Sequence, residues 1–139
     1  MFAVIVLFLA ALAATCSATP VASNDTFVNA VVKRATRPGT ASFFDTGADA
    51  CGGFDQDSDP VVSLPTNLFG LQSPSPHCGQ AVTIMNTQNG QVAHGVVRDE
   101  CPECGISELD LSRSLFLELT PSLSAGVIPI SWFFDSEGP

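Results

Sequence analysis

The chain has 139 residues and carries 14 acidic against five basic side chains, for a net charge of −9 at pH 7. An acidic surface disfavours nucleic acids and anionic membranes, because both are bound by basic patches. We therefore expect neutral or cationic partners, with the alternative that the charge only keeps the chain in solution. The length predicts one domain.

Residues 1–18 have the pattern of a secretory signal peptide. The run from Met1 to Ala14 is almost wholly apolar, and small residues follow it up to Ala18. At about 14 residues it is shorter than the roughly 20 that span a bilayer. We therefore expect a secreted, extracellular protein whose mature form has no membrane segment and is a monomer.

Residues 19–34 end in Lys33 and Arg34, a dibasic pair typical of a processing site. We interpret this stretch as a pro-segment, with a charged linker as the alternative. The mature chain of residues 35–139 would keep three arginines and 13 acidic residues, so its net charge is near −10.

Four cysteines remain in residues 35–139, and an even number in a small secreted domain implies disulfides. Three pairings are possible. The Cys101-Pro-Glu-Cys104 spacing also fits a redox motif or half of a zinc site, for which only His77 and His94 could supply further ligands. An oxidising compartment favours disulfides, so we expect no metal and no cofactor. The four cysteines are Cys51, Cys78, Cys101 and Cys104.

Short apolar runs between Gly, Pro, Asn and Asp predict an all-β protein. Asn89-Gly90 is a strong hairpin signal, Ser112 is a plausible helix N-cap, and Pro129 suggests an edge strand or a bulge. The acidic loop 48–59 lacks the Gly and the distal Glu of a calcium-binding loop. Strands are predicted at 40–44, 61–64, 81–86, 91–99 and 126–134, a helical turn at 66–71 and a helix at 114–119.

Asp110 and Asp45 are the candidate catalytic residues. Asp110 lies between Leu109 and Leu111, and a partly desolvated carboxylate has a raised pKa that suits a general acid. The alternative is a structural Asp that bonds backbone amides at the start of a helix. Asp45 ends an apolar strand, where a turn residue is the alternative. Two carboxylates across a groove are the minimal apparatus for glycosidic cleavage.

We interpret Asp99 as a loop residue that bonds backbone amides.

An ordered set of motifs runs through the mature chain. It comprises Gly39-Thr-Ala-Ser-Phe-Phe-Asp-Thr-Gly, Ala50-Cys-Gly, Val61-Val-Ser-Leu, Cys78-Gly, Val96-Val-Arg-Asp-Glu-Cys-Pro-Glu-Cys, Leu109-Asp-Leu-Ser and Gly126-Val-Ile-Pro-Ile-Ser-Trp. The set resembles secreted fungal proteins with an RlpA-like double-psi β-barrel, which are relatives of barwin, of the first domain of expansins and of family 45 endoglucanases.

The resemblance implies a six-stranded double-psi β-barrel with one or two short helices over residues 35–139, and a groove across one face. It implies that Asp110 and Asp45 match the two catalytic aspartates of the endoglucanases. It also implies the pairs Cys51 with Cys78 and Cys101 with Cys104. The expected groove residues are Asp110, Asp45, Asp99 and Phe44.

Three functions fit this resemblance. The first is non-catalytic binding of cell-wall polysaccharide through the groove, and the second is a secreted protease inhibitor or effector that binds a protein partner. The third is a weak glycoside hydrolase or lytic enzyme using Asp110 with Asp45. The chain has no Tyr and one Trp, so an aromatic platform for a glucan is not expected. This departure from the larger relatives weakens the hydrolase hypothesis.

Overall fold

The computed structural model describes residues 36–137. The predicted signal peptide and pro-segment therefore lie outside the described residues. Within them, six strands alternate with two short α-helices and two single-turn 3-10 helices at Leu123–Ala125 and Asp135–Glu137. No helix in this range is long and apolar enough to cross a membrane. The elements in chain order are β1 (Arg37–Phe44), β2 (Val61–Pro65), α1 (Thr66–Phe69), β3 (Ala81–Asn86), β4 (Val92–Cys101), β5 (Leu109–Ser112), α2 (Arg113–Leu119) and β6 (Ile128–Phe134).

The six strands form a closed barrel in the order β1-β5-β2-β4-β3-β6, with β6 pairing back onto β1. β1 runs parallel to β5 and β2 parallel to β4, whereas the other four pairings are antiparallel. The predicted all-β, six-stranded double-psi barrel is confirmed.

Alternating side chains build the core. β6 shows strict alternation, with Ile128, Ile130, Trp132 and Phe134 buried, as expected for a strand with one face inside. Helix α2 covers the barrel with the apolar face that the sequence predicts, formed by Leu115, Phe116 and Leu119. All three are fully buried.

The Gly at position 95 lets α2 approach the barrel. A Cβ added to Gly95 would lie 2.5 Å from Val62 Cγ2 and 2.6 Å from Leu115 Cδ2, which is closer than packed carbon atoms come. This glycine occupies a buried position of β4. Its position is therefore explained by the contact between strand and helix.

The prediction for Pro129 is wrong, and the prediction for Ser112 as the N-cap of α2 holds for its position only. The barrel is closed and both pairings of β6 run without a shift in register, so Pro129 marks neither an edge strand nor a bulge. It is tolerated because the ladder with β3 begins only at Ile130. Ser112 precedes α2 but makes no side-chain cap. Its buried hydroxyl instead donates to the Asp59 carbonyl at 2.6 Å and accepts from the Val61 amide at 3.2 Å.

Candidate functional site

A row of four polar residues crosses four adjacent strands of the barrel. Ser42 in β1 pairs with Asp110 in β5, Asp110 pairs with Ser63 in β2, and Ser63 pairs with Asp99 in β4. Successive side chains of a strand point to opposite faces, so Ser42, Ser63 and Asp110 lie on the outer face. The neighbours of these residues point into the core instead: Ala41, Val62, Leu109 and Leu111. In β4 the register with β2 shifts between Val62 and Ser63, which places Asp99 opposite Ser63.

Three residues of the row, Ser63, Asp99 and Asp110, line a cavity of about 260 Å³. Phe44 and Ser63 line it, as does the Cys101–Pro102 turn. A second depression, of about 420 Å³, is lined by Leu71 among others and shares Glu100 with the first. We call these two depressions, which share one lining residue, the groove. The first cavity also carries four carboxylates, those of Asp99, Glu100, Glu103 and Asp110.

Asp110 is the half-buried carboxylate of the row. Its Oδ1 accepts a hydrogen bond from the Ser42 hydroxyl at 2.8 Å. Burial raises the pKa of the Asp110 carboxyl, and the negative charges of Glu108 and Asp99 raise it further, against the lowering effect of the Ser42 and Leu111 hydrogen bonds. A carboxyl with a raised pKa keeps its proton more readily, so it can donate a hydrogen bond as well as accept one.

Asp99 has one oxygen committed to structure and one open to the cavity. Its Oδ1 accepts from the backbone amides of Ala50 and Glu100, each at 2.9 Å, which confirms the expected bonding to amides. These bonds hold the loop around Ala50 against β4. Asp99 Oδ2 has no hydrogen bond within residues 36–137.

Asp45 lies apart from this cavity wall. Its exposed carboxylate forms an ion pair with Arg113, whose Nε also lies 4.0 Å from Asp57 Oδ2. The hydrogen bond from Arg113 lowers the pKa of the Asp45 carboxyl. Asp45 is not among the residues lining the first cavity, and its catalytic pairing with Asp110 stays a prediction.

Ser63 is a lining residue that sequence reasoning missed. It is only 2% exposed, yet it lines the cavity. Its hydroxyl makes no hydrogen bond to any part of the chain that the structure describes. The available signal was a single hydroxyl in the apolar run Val61–Pro65, every residue of which is buried.

The cysteines form the disulfides Cys51–Cys78 and Cys101–Cys104, which are the pairs that the resemblance implies. Because their sulfurs are bonded to each other, they are not zinc ligands. Among residues 36–137, no three His, Cys, Asp or Glu side chains are grouped to hold a metal ion.

The aromatic and histidine side chains near the barrel ends have structural contacts. Trp132 is fully buried and its Nε1 donates to the Ser107 carbonyl at 3.1 Å, so it offers no face to a sugar ring. His77 stacks on Phe134 with ring centroids 5.0 Å apart. His94 Nδ1 lies 3.0 Å from the Thr83 hydroxyl on the exposed side of β4. Phe44 is the aromatic residue that lines the first cavity.

No family model matches the chain. The chain is 35% identical over 83 residues to the Asp f 7 allergen homologue of Arthroderma benhamiae. This alignment covers 58% of this chain and 28% of that protein. It is 34% identical over 96 residues to the papain inhibitor of Streptomyces mobaraensis, covering 66% of each. The chain thus spans only part of these relatives.

Solved structures give the same picture. The Streptomyces papain inhibitor superposes with a TM-score of 0.64 at 32% identity, over 71% of this chain and 93% of that one. A mutant expansin of Clavibacter michiganensis in complex with cellohexaose has a TM-score of 0.61 at 24% identity, over 71% of this chain and 50% of that one; at that identity it shows the fold alone. The chain belongs to the family of expansin-like and barwin-like double-psi β-barrel proteins that includes the Streptomyces papain inhibitor.

Proposed function

We propose that the protein is a small extracellular, non-catalytic binding protein that holds a cell-wall polysaccharide chain in the groove. The observation that carries this proposal is the row Ser42, Asp110, Ser63 and Asp99 across the outer face of the barrel. The signal-peptide pattern of residues 1–18 and the two disulfides support export.

The chemistry of the row suits a sugar. Hydroxyls and carboxylates spaced one strand apart, about 4.8 Å, can bond successive hydroxyl groups of a pyranose chain. Phe44 lies in the same cavity and can contact the apolar face of a ring. Two depressions lie on either side of Glu100, and a polymer could contact both where a small molecule would occupy one. The expansin with the same fold was solved with cellohexaose.

The surroundings of the acids argue against hydrolysis. Glycosidic cleavage needs two carboxyl groups on opposite sides of one bond. Asp110 has the raised pKa of an acid, but one oxygen of Asp99 is held by two backbone amides. The Asp45 carboxylate is paired with Arg113. We therefore expect Asp110 to hydrogen-bond a bound sugar without cleaving it.

The test is retention of the secreted protein on insoluble cellulose, chitin and peptidoglycan, followed by calorimetry with soluble oligomers of the polymer that retains it. We expect Asp110→Ala to weaken binding about tenfold, the loss of one hydrogen bond to a charged group. The matched control is Glu118→Gln, an exposed carboxylate outside the groove, which should bind as the wild type does. Retention on none of the three polymers and none on deacetylated chitin would overturn the proposal, and sugar release that Asp110→Asn abolishes would replace it with catalysis.

A second candidate function is inhibition of a papain-like cysteine protease. The observation that favours it is the match to the papain inhibitor, of whose solved chain 93% is covered at 32% identity. Titration of papain with the secreted protein tests it, with expected loss of protease activity at a one-to-one ratio. A flat titration, with papain fully active at a tenfold excess, would exclude this candidate.

A further inference from the structure

We propose that the groove selects a cationic amino-sugar polymer, a glucosamine chain with free amino groups, over neutral glucans and fully acetylated chitin. This inference rests on the proposed function and names the substrate class of the same groove. It is carried by the charge of the cavity wall together with the unpartnered hydroxyl of Ser63.

Among the described residues, the wall of the first cavity carries carboxylates and no cationic side chain. Its four carboxylates belong to Asp99, Glu100, Glu103 and Asp110, and no Arg, Lys or His of residues 36–137 lines it. All three arginines of residues 36–137 form ion pairs with carboxylates outside this cavity. These pairs are Arg37 with Glu137, Arg98 with Asp49 and Asp55, and Arg113 with Asp45.

Clustered like charges are unfavourable unless a bound group neutralises them. Glu103 is exposed and makes no hydrogen bond within the described chain, and Asp99 keeps Oδ2 open. A neutral sugar would cover these carboxylates and remove water from them with no charge in return. An ammonium group replaces that water with a charge-assisted hydrogen bond.

Ser63 defines where the ammonium group of a ligand would bind. It sits between Asp110 and Asp99 in the row. The residue as a whole is 2% exposed, and its hydroxyl lines the cavity without a hydrogen bond to the described residues. No fully buried side-chain oxygen among the described residues lacks a hydrogen-bond partner, so the Ser63 oxygen is accessible from the cavity and can bond a ligand group placed there. An ammonium has three donors, which match the Ser63 hydroxyl and the carboxylates on either side.

The experiment is calorimetry of the secreted protein with three soluble hexamers: glucosamine, N-acetylglucosamine and cellohexaose. We expect the glucosamine hexamer to bind at least about tenfold more tightly than the two neutral hexamers, as charged hydrogen bonds predict. We expect this advantage to shrink as salt is raised, because exposed charges are screened. Equal affinity for all three hexamers would overturn the inference and leave the proposed function standing. Binding of none would overturn both.

Two variants separate charge from general damage to the groove. Glu103→Gln should weaken binding of the glucosamine hexamer about threefold, the size of one exposed ion pair, and weaken cellohexaose binding less. Ser63→Ala should reduce the preference for glucosamine, and Glu118→Gln should match the wild type. Thermal unfolding checks that each variant is folded. Hexalysine binding as tight as that of the glucosamine hexamer would overturn the inference, because the groove would then select charge rather than an amino sugar.

Discussion

Asp110 is held where ionisation is unfavourable, and this has a measurable consequence for stability. Its raised pKa, caused first by burial, means that the folded protein binds this proton more tightly than the unfolded chain. The contribution of Asp110 to stability is therefore complete at low pH and is lost as the pH rises through the folded-state pKa. We expect Asp110→Asn to raise the free energy of unfolding at neutral pH, with the gain disappearing near about pH 4.

Urea unfolding of both proteins across this pH range measures the effect. Asp45→Asn is the control of opposite sign, because Arg113 lowers the pKa of Asp45. That substitution should reduce stability at neutral pH and have no effect at low pH. An Asp110→Asn variant that is less stable than the wild type at neutral pH would contradict the prediction. A variant that is more stable but binds no polymer would identify Asp110 as a residue kept for function rather than for folding.

At the scale of elements, the contact between β4 and α2 depends on Gly95. A Cβ there would press into Val62 and Leu115, both buried. We expect Gly95→Ala to lower the free energy of unfolding by about 1–3 kcal/mol, the usual cost of overfilling a core. Gly105→Ala is the matched control, because the nearest atom to its added Cβ would be Glu108 Oε2 at 3.5 Å, an ordinary contact. Equal stability of the two variants in urea would refute this explanation of Gly95.

How far the sequence predicts the elements depends on the range of the interactions that form them. β3, β4 and their Asn89-Gly90 turn are local, and the sequence predicts them to within a residue or two. β5 is different: Leu109–Ser112 has four residues, and its partner Ser42 is 68 positions from Asp110. The position of Ser63 also depends on residues distant in sequence, because only the pairing of β2 with β4 and β5 places it in the cavity. These features follow from barrel closure, which the family resemblance implies and local patterns do not.

At the scale of the whole molecule, the two disulfides constrain the unfolded chain to different degrees. Cys51–Cys78 joins residues 27 positions apart and Cys101–Cys104 residues only three apart. Loop-closure entropy then assigns about 3.5 kcal/mol to the first bridge and about 2 kcal/mol to the second. The segments that form β2 and α1 lie within the longer loop. Loss of this bridge therefore increases the conformational freedom of these segments in the unfolded chain.

We therefore expect the double variant Cys51→Ala with Cys78→Ala to lose more stability than Cys101→Ala with Cys104→Ala, by about 1.5 kcal/mol. Urea unfolding of both double variants and the wild type measures the difference. Binding should show the reverse order, because Cys101 lines the groove whereas neither Cys51 nor Cys78 lines the first cavity. A Cys101 and Cys104 variant that keeps full polymer affinity would show that this turn shapes no part of the binding surface. A larger stability loss in that variant would show that folded-state contacts, rather than chain entropy, set the strength of the bridges.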